Sequence, residues 1–210
     1  MGQTYVDKVA NYIRGTSDSI VTSREFMQLY NFIIEQCDFG DNSQNLYEYL
    51  LEATTLFLRN DIIPRLTSLP AWAVESDYIC CFAKAWRDFT LYVKLIERAS
   101  EYVNRNCIFK LNLKPLTEES FYLFKTEVFW PNKQELLTNV LVCARLVNGQ
   151  SQQNVALDDL KTCVNLFSDF CINEDPRIKR SPDGSYLWEG KTEMKFYQNY
   201  FERKLLDQIS

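Results

Sequence analysis

An all-α fold of stacked or bundled helices is predicted by three features of this 210-residue chain. Apolar residues recur at steps of three and four, strand-like alternation is lacking over most of the length, and helix stop signals are separated by roughly ten to thirty residues. The longest such pattern runs from Phe82 to Ile108 and organises the rest. Phe82, Ala85, Trp86, Phe89, Tyr92, Val93, Ile96, Ala99 and Val103 mark one helix face. At about 1.5 Å per residue this strut would be about 40 Å long, a packing element without chemistry of its own.

Taken in order, Tyr5, Val6, Val9, Ala10 and Ile13 form a short amphipathic helix stopped by Gly15. Thr22 or Ser23 caps a second helix carrying Phe26, Met27, Leu29, Tyr30, Ile33, Ile34 and Cys37, broken by Phe39-Gly40-Asp41-Asn42. A third passes through Leu46, Tyr47, Leu50, Leu51, Phe57 and Leu58. Pro64, Pro70 and the polar residues at Ser76-Asp77 then separate it from the strut. Thr117 precedes Glu118 and Glu119, acids that suit the first turn of a fifth helix bearing Phe121, Tyr122, Phe124, Val128 and Phe129. Trp130-Pro131 is expected to end it and Asn132 to cap a sixth helix from Leu136 to Val147, closed by Asn148-Gly149. A seventh runs from about Val155 to Phe170, with Asp158-Asp159 in its first turn. Arg177 to Gly190 departs from the pattern: around the turn Ser181-Pro182-Asp183-Gly184 it predicts a small hairpin or an ordered loop near 177–190, before helix resumes near Lys195.

Composition narrows the function classes. With 46% hydrophobic and 14% aromatic residues the chain can bury a sizeable core, as one long domain or two short ones. A net charge of -5 with both signs interspersed offers no phosphate-gripping patch, so nucleic acid is not expected as a partner. Neither is a membrane: there is no apolar run of 18 residues, and MGQTYV is neither a secretory signal nor a myristoylation site. The chain is read as cytoplasmic and/or nuclear, with its seven cysteines reduced and mostly buried, Cys80-Cys81 included. The absence of histidine excludes Cys-His and Ser-His-Asp nucleophile sites and Cys/His zinc sites, and there is no phosphate-binding glycine loop. Without a D-D-x-x-D run, a magnesium-dependent helical enzyme is not supported either, so no catalytic residue, metal or cofactor is assigned.

The second helix carries two apolar stripes. Phe26, Met27, Tyr30 and Ile34 form one, and Leu29, Ile33 and Cys37 the other, displaced by roughly 60 to 100°. Either both stripes are buried in the bundle, or one faces the core and the other a partner, since aromatic and methionine side chains suit the centre of a binding patch.

The segments FMQLYNFIIEQC (Phe26 to Cys37), NLYEYLLEATTLFL (Asn45 to Leu58), the strut ending in YVNRN (Tyr102 to Asn106), FKTEVFWPNKQ (Phe124 to Gln134), VNGQ (Val147 to Gln150) and FYQNYFERKLL (Phe196 to Leu206) occur in that order. Together they resemble the N-terminal region of cullins over nearly the whole chain. The resemblance implies an elongated all-α scaffold of stacked five-helix cullin-type repeats, with the first repeat at 1–130 and an incomplete second at 131–210. It implies a non-catalytic scaffold fragment of a cullin-RING ubiquitin ligase that binds a BTB/POZ-fold adaptor, of Skp type or Elongin C type, with its substrate receptor. The adaptor-binding residues carried over are Phe26, Met27, Tyr30 and Ile34 on the second helix, and Leu116, Thr117 and Ser120 at the start of the fifth. A stand-alone cullin-like helical interaction protein competing for adaptors is the alternative. Three departures stand out. The C-terminal region that recruits a RING-box protein is absent, Thr117 falls where the family often has an aromatic residue, and the Arg177 to Gly190 segment with Trp188 has no counterpart.

Overall fold

The computed structural model describes residues 2–15, 22–38, 43–70, 73–103, 108, 112–148, 156–167, 169–170, 178–180 and 186–188. These residues form α1 (Gly2–Ile13), α2 (Ser23–Asp38), α3 (Ser43–Phe57), α4 (Ile63–Thr67), α5 (Glu75–Ala99), α6 (Leu116–Phe124), α7 (Trp130–Asn148) and α8 (Leu157–Phe167). A two-stranded antiparallel hairpin follows, β1 (Ile178–Arg180) with β2 (Tyr186–Trp188), registered Ile178 to Trp188, Lys179 to Leu187 and Arg180 to Tyr186. The hairpin expected near 177–190 is therefore formed. Its turn, the 39–42 break, Gly149 and the helix expected near Lys195 lie outside the described residues.

The helix ends follow local rules. Gly15 adopts φ +71°, the left-handed conformation glycine takes at little cost, and its N–H donates to the Tyr12 carbonyl at 3.0 Å to close α1. Thr22 starts α2, its carbonyl accepting from Phe26 N–H at 2.9 Å. Serines and threonines inside the helices are accommodated by back-bonding. Thr54, Ser100 and Ser120 hydroxyls donate to the carbonyls of Leu50, Ile96 and Leu116, four residues earlier.

Several boundaries correct the sequence expectation. Ser76-Asp77 is not a separator but the first turn of α5, where Val74 N–H donates to the Asp77 carboxylate at 3.2 Å, half of a capping box. The strut thus begins seven residues before Phe82, and α5 ends at Ala99 rather than Ile108. Pro115 precedes α6, Thr117 is its second residue, and Glu118 and Glu119 lie in its first turn as expected. Neither Pro64 nor Trp130-Pro131 ends a helix. Leu58–Ile62 and Lys125–Phe129 are wide π-helical turns that join α3 to α4 and α6 to α7 without a break, Ile63 N–H donating to Leu58 and Trp130 N–H to Lys125. Each π turn lies one residue ahead of a proline.

The chain divides into two compact units, residues 1–68 with 85–131, and residues 69–84 with 132–210. The first unit has an aromatic core. Phe57 stacks on Tyr92 with centroids 4.2 Å apart, while Trp86, Phe89, Phe121 and Phe124 interlock, Phe89 and Phe124 at 4.8 Å. Burial pushes the Tyr92 phenol well above its ordinary value. In the second unit Ile79, Phe82, Leu136, Val140, Leu160, Val164 and Phe167 are buried, and the Cys163 thiol donates to the Ile79 carbonyl at 3.7 Å. Cys143 is wholly buried there, which pushes its thiol up to about 11. Cys80 and Cys81 differ from the expectation of a buried pair, because Cys80 is exposed and Cys81 half-buried on α5. Among the described residues no two cysteines are joined as a disulfide, and no helix is long and apolar enough to cross a membrane.

Candidate functional site

The two stripes of α2 meet different surroundings. Ile33 is 1% exposed, which anchors its stripe in the core of the first unit, and Cys37 beyond it is half-buried. On the other stripe Met27 is 52% exposed, and Phe26, Tyr30 and Ile34 are half-buried. Tyr30 is held from two sides: Phe26 stacks on it with centroids 6.4 Å apart, and Tyr102 presents its edge at the same distance. Tyr30 is thus supported by two ring contacts and remains only half-buried.

The start of α6 divides differently. Leu116 is 1% and Ser120 2% exposed, and the Ser120 hydroxyl is used internally at 2.7 Å from the Leu116 carbonyl. These two side chains hold α6 in the core and do not reach the surface. Thr117 is half-buried, its Oγ1 enclosed without a hydrogen-bond partner. α3 packs against both α2 and α6. It fixes the approach to α6 directly, since the Tyr47 hydroxyl donates to the Lys114 carbonyl at 2.8 Å.

Sequence reasoning placed Tyr122 among the apolar residues of its helix, yet Tyr122 is 50% exposed. The signal was present: Leu116, Ser120 and Phe124 are four apart and buried, and Tyr122 falls on the opposite side of that stripe. Lys114 caps this surface with its ammonium 5.8 Å from the Tyr122 ring centre and 3.3 Å from Glu119, and the paired carboxylates push its pKa up. No three His, Cys, Asp or Glu side chains gather as a metal site among the described residues. The outer stripe of α2 thus presents aromatic and thioether area, and α6 separately presents Tyr122 with Lys114 and Glu119.

A family model, the cullin alpha solenoid domain, matches residues 6–210. The chain belongs to the cullin family. A relative of this cullin, Cullin-1 of Oryza sativa subsp. japonica, is 23% identical over 207 residues, covering 97% of this chain and 24% of the relative. The chain thus spans about a quarter of the length of that curated relative. No solved structure matches it. The all-α solenoid class of the family agrees with the helical architecture described above.

Proposed function

We propose that this cullin chain is a non-catalytic scaffold segment of a cullin-RING ubiquitin ligase, and that the outer stripe of α2 receives a BTB/POZ-fold substrate adaptor. The observation that carries the reading is the asymmetry of α2: Ile33 buried, Met27 half in solvent, and Phe26, Tyr30 and Ile34 partly covered between them. Burying a methionine and two aromatic rings against an apolar partner groove would stabilise a complex chiefly by removing that surface from water. In this reading Thr117 supplies the direct contact from α6, and Leu116 and Ser120 act by holding that helix in place. The scaffold's contribution is geometric, because it holds an adaptor and its substrate receptor at a set place. The RING-box protein would be recruited through the C-terminal region of the family pattern, to which none of these α2 and α6 residues is matched. Such a role places the protein in the cytoplasm or nucleus.

Titration of the chain with a Skp-type adaptor and, separately, with Elongin C tests the proposal and selects the adaptor class. One of the two should bind saturably. Met27→Glu should weaken that binding at least about tenfold with an unchanged melting temperature, since its side chain is exposed. Tyr30→Ala should weaken it by roughly 30-fold, about 2 kcal/mol. Absence of binding to both adaptors, or binding indifferent to both substitutions, would remove α2 as the docking face.

A further inference from the structure

A second surface lies between α1 and α3 in the first unit, where a groove of about 330 Å³ opens to solvent. Ala10 from α1 and Ala53 from α3 line it, side chains too small to fill the space, with Phe57 buried at its base. This volume is at the low end of the range of ligand sites, which suits one or two side chains of a partner rather than a large cofactor.

Its electrostatics are one-sided. The lining contains three carboxylates, Asp7, Glu52 and Asp61, against one cation, Arg14. Arg14 is already engaged: its guanidinium grips both oxygens of Asp61, one bond at 2.7 Å, and donates to Asn11 at 2.8 Å. Asp7 and Glu52 are exposed. Both line the groove together with Tyr49, whose hydroxyl pKa is raised by burial first and then by these two charges. Beside them Leu56, one turn after Glu52 on the same face of α3, is 50% exposed. An anion would be repelled from this groove, and an uncharged apolar ligand would leave the carboxylates unmatched.

We infer that the α1–α3 groove receives a segment of a partner protein that carries an arginine or lysine about one helical turn from a leucine-sized aliphatic residue, the cation against Asp7 and Glu52 and the aliphatic group against Leu56 and Phe57. This surface uses none of the α2 residues, and the inference stands apart from the adaptor reading.

The test is a titration of the isotopically labelled 210-residue chain with the capped peptide acetyl-Leu-Ala-Ala-Arg-amide, followed by amide and methyl spectra. Saturable shifts confined to Ala10, Tyr49, Ala53 and Leu56 are expected, and the same peptide with glutamate in place of arginine should give none. Asp7→Asn with Glu52→Gln should raise the dissociation constant by about three- to tenfold. Leu56→Ser should abolish the preference for that peptide over acetyl-Ala-Ala-Ala-Arg-amide. Raising salt from about 0.1 M to 1 M, which shortens the screening length from about 10 Å to 3 Å, should weaken binding to the unaltered chain, an arm that needs no variant to fold. Shifts scattered over the surface, equal binding of the glutamate peptide, or insensitivity to salt would overturn the inference.

Discussion

Three residues apart on α2, Tyr30 and Ile33 have opposite fates, and their alanine variants should separate accordingly. Ile33 is enclosed, so Ile33→Ala should cost about 2 to 4 kcal/mol through lost burial and the cavity left behind. Tyr30 keeps part of its surface in water and is supported by two ring contacts, so Tyr30→Ala should cost about 1 kcal/mol. Denaturant titrations of the two variants decide it, and a larger loss at Tyr30 would move that ring into the core. The cysteines offer a second contrast. Cys80 is exposed, whereas Cys143 is enclosed with its thiol pushed up to about 11, leaving about one thiolate in a thousand at pH 8. Alkylation followed by peptide mass analysis should label Cys80 much faster, and equal rates would show that the core of the second unit opens readily.

At the scale of elements, the two π turns explain why prolines do not end helices here. A proline inside an α-helix removes one hydrogen bond and sets its ring against the carbonyl four residues back. At Leu58–Ile62 and Lys125–Phe129 the repeat widens by one residue immediately beforehand, so the helical path continues through Pro64 and Pro131. The two turns also meet, Arg59 reaching both oxygens of Glu127 at 3.1 and 3.2 Å. Inserting an alanine after the exposed residue Asn60 should turn everything after it by about 100°, taking Ile62 and Leu66 out of the core. A stability loss of about 3 kcal/mol or more is expected with helicity nearly intact. An unchanged denaturation midpoint with unchanged circular dichroism would show that core packing does not fix the phase of the helix through this turn.

For the molecule as a whole, the buried titratable groups make alkaline pH the vulnerable side. Burial raises Cys143 from about 9 to about 11, and raises the phenols of Tyr78 and Tyr92 above their ordinary 10. A group whose folded pKa is raised holds its proton more tightly in the native state. Its stabilising share is therefore complete below the unfolded value and is lost as pH climbs through the folded one. Stability should be level to about pH 9 and fall progressively above it, first through Cys143 and then through the phenols. Urea midpoints across that range check this, and a rise above pH 9 would contradict the burial of these groups. Thermal melts with and without reductant should coincide, because no disulfide joins the described cysteines.

The helical class, most helix centres and the apolar face of each were legible in the sequence, because a 3.6-residue apolar period and stop signals such as Gly15 are local properties of the chain. The hairpin near 177–190 was legible for the same reason, from a turn sequence between short apolar pieces. The stripe proposed for an adaptor was visible as one of two on α2, but periodicity is symmetric with respect to burial. Which stripe faces inward depends on what packs against the helix, and only the tertiary structure placed Ile33 inside and Met27 outside. The same limit hid Leu116 and Ser120 in the core and left Tyr122 at the surface. Proline signals misled for a related reason: a proline disfavours an ideal α-helix, and the packing of Leu58, Ile62, Val128 and Phe129 into the core of the first unit holds a widened turn that no local rule would choose. Local chemistry determined which segments are helical, whereas burial, a property of the whole unit, determined which of their faces remain available for recognition.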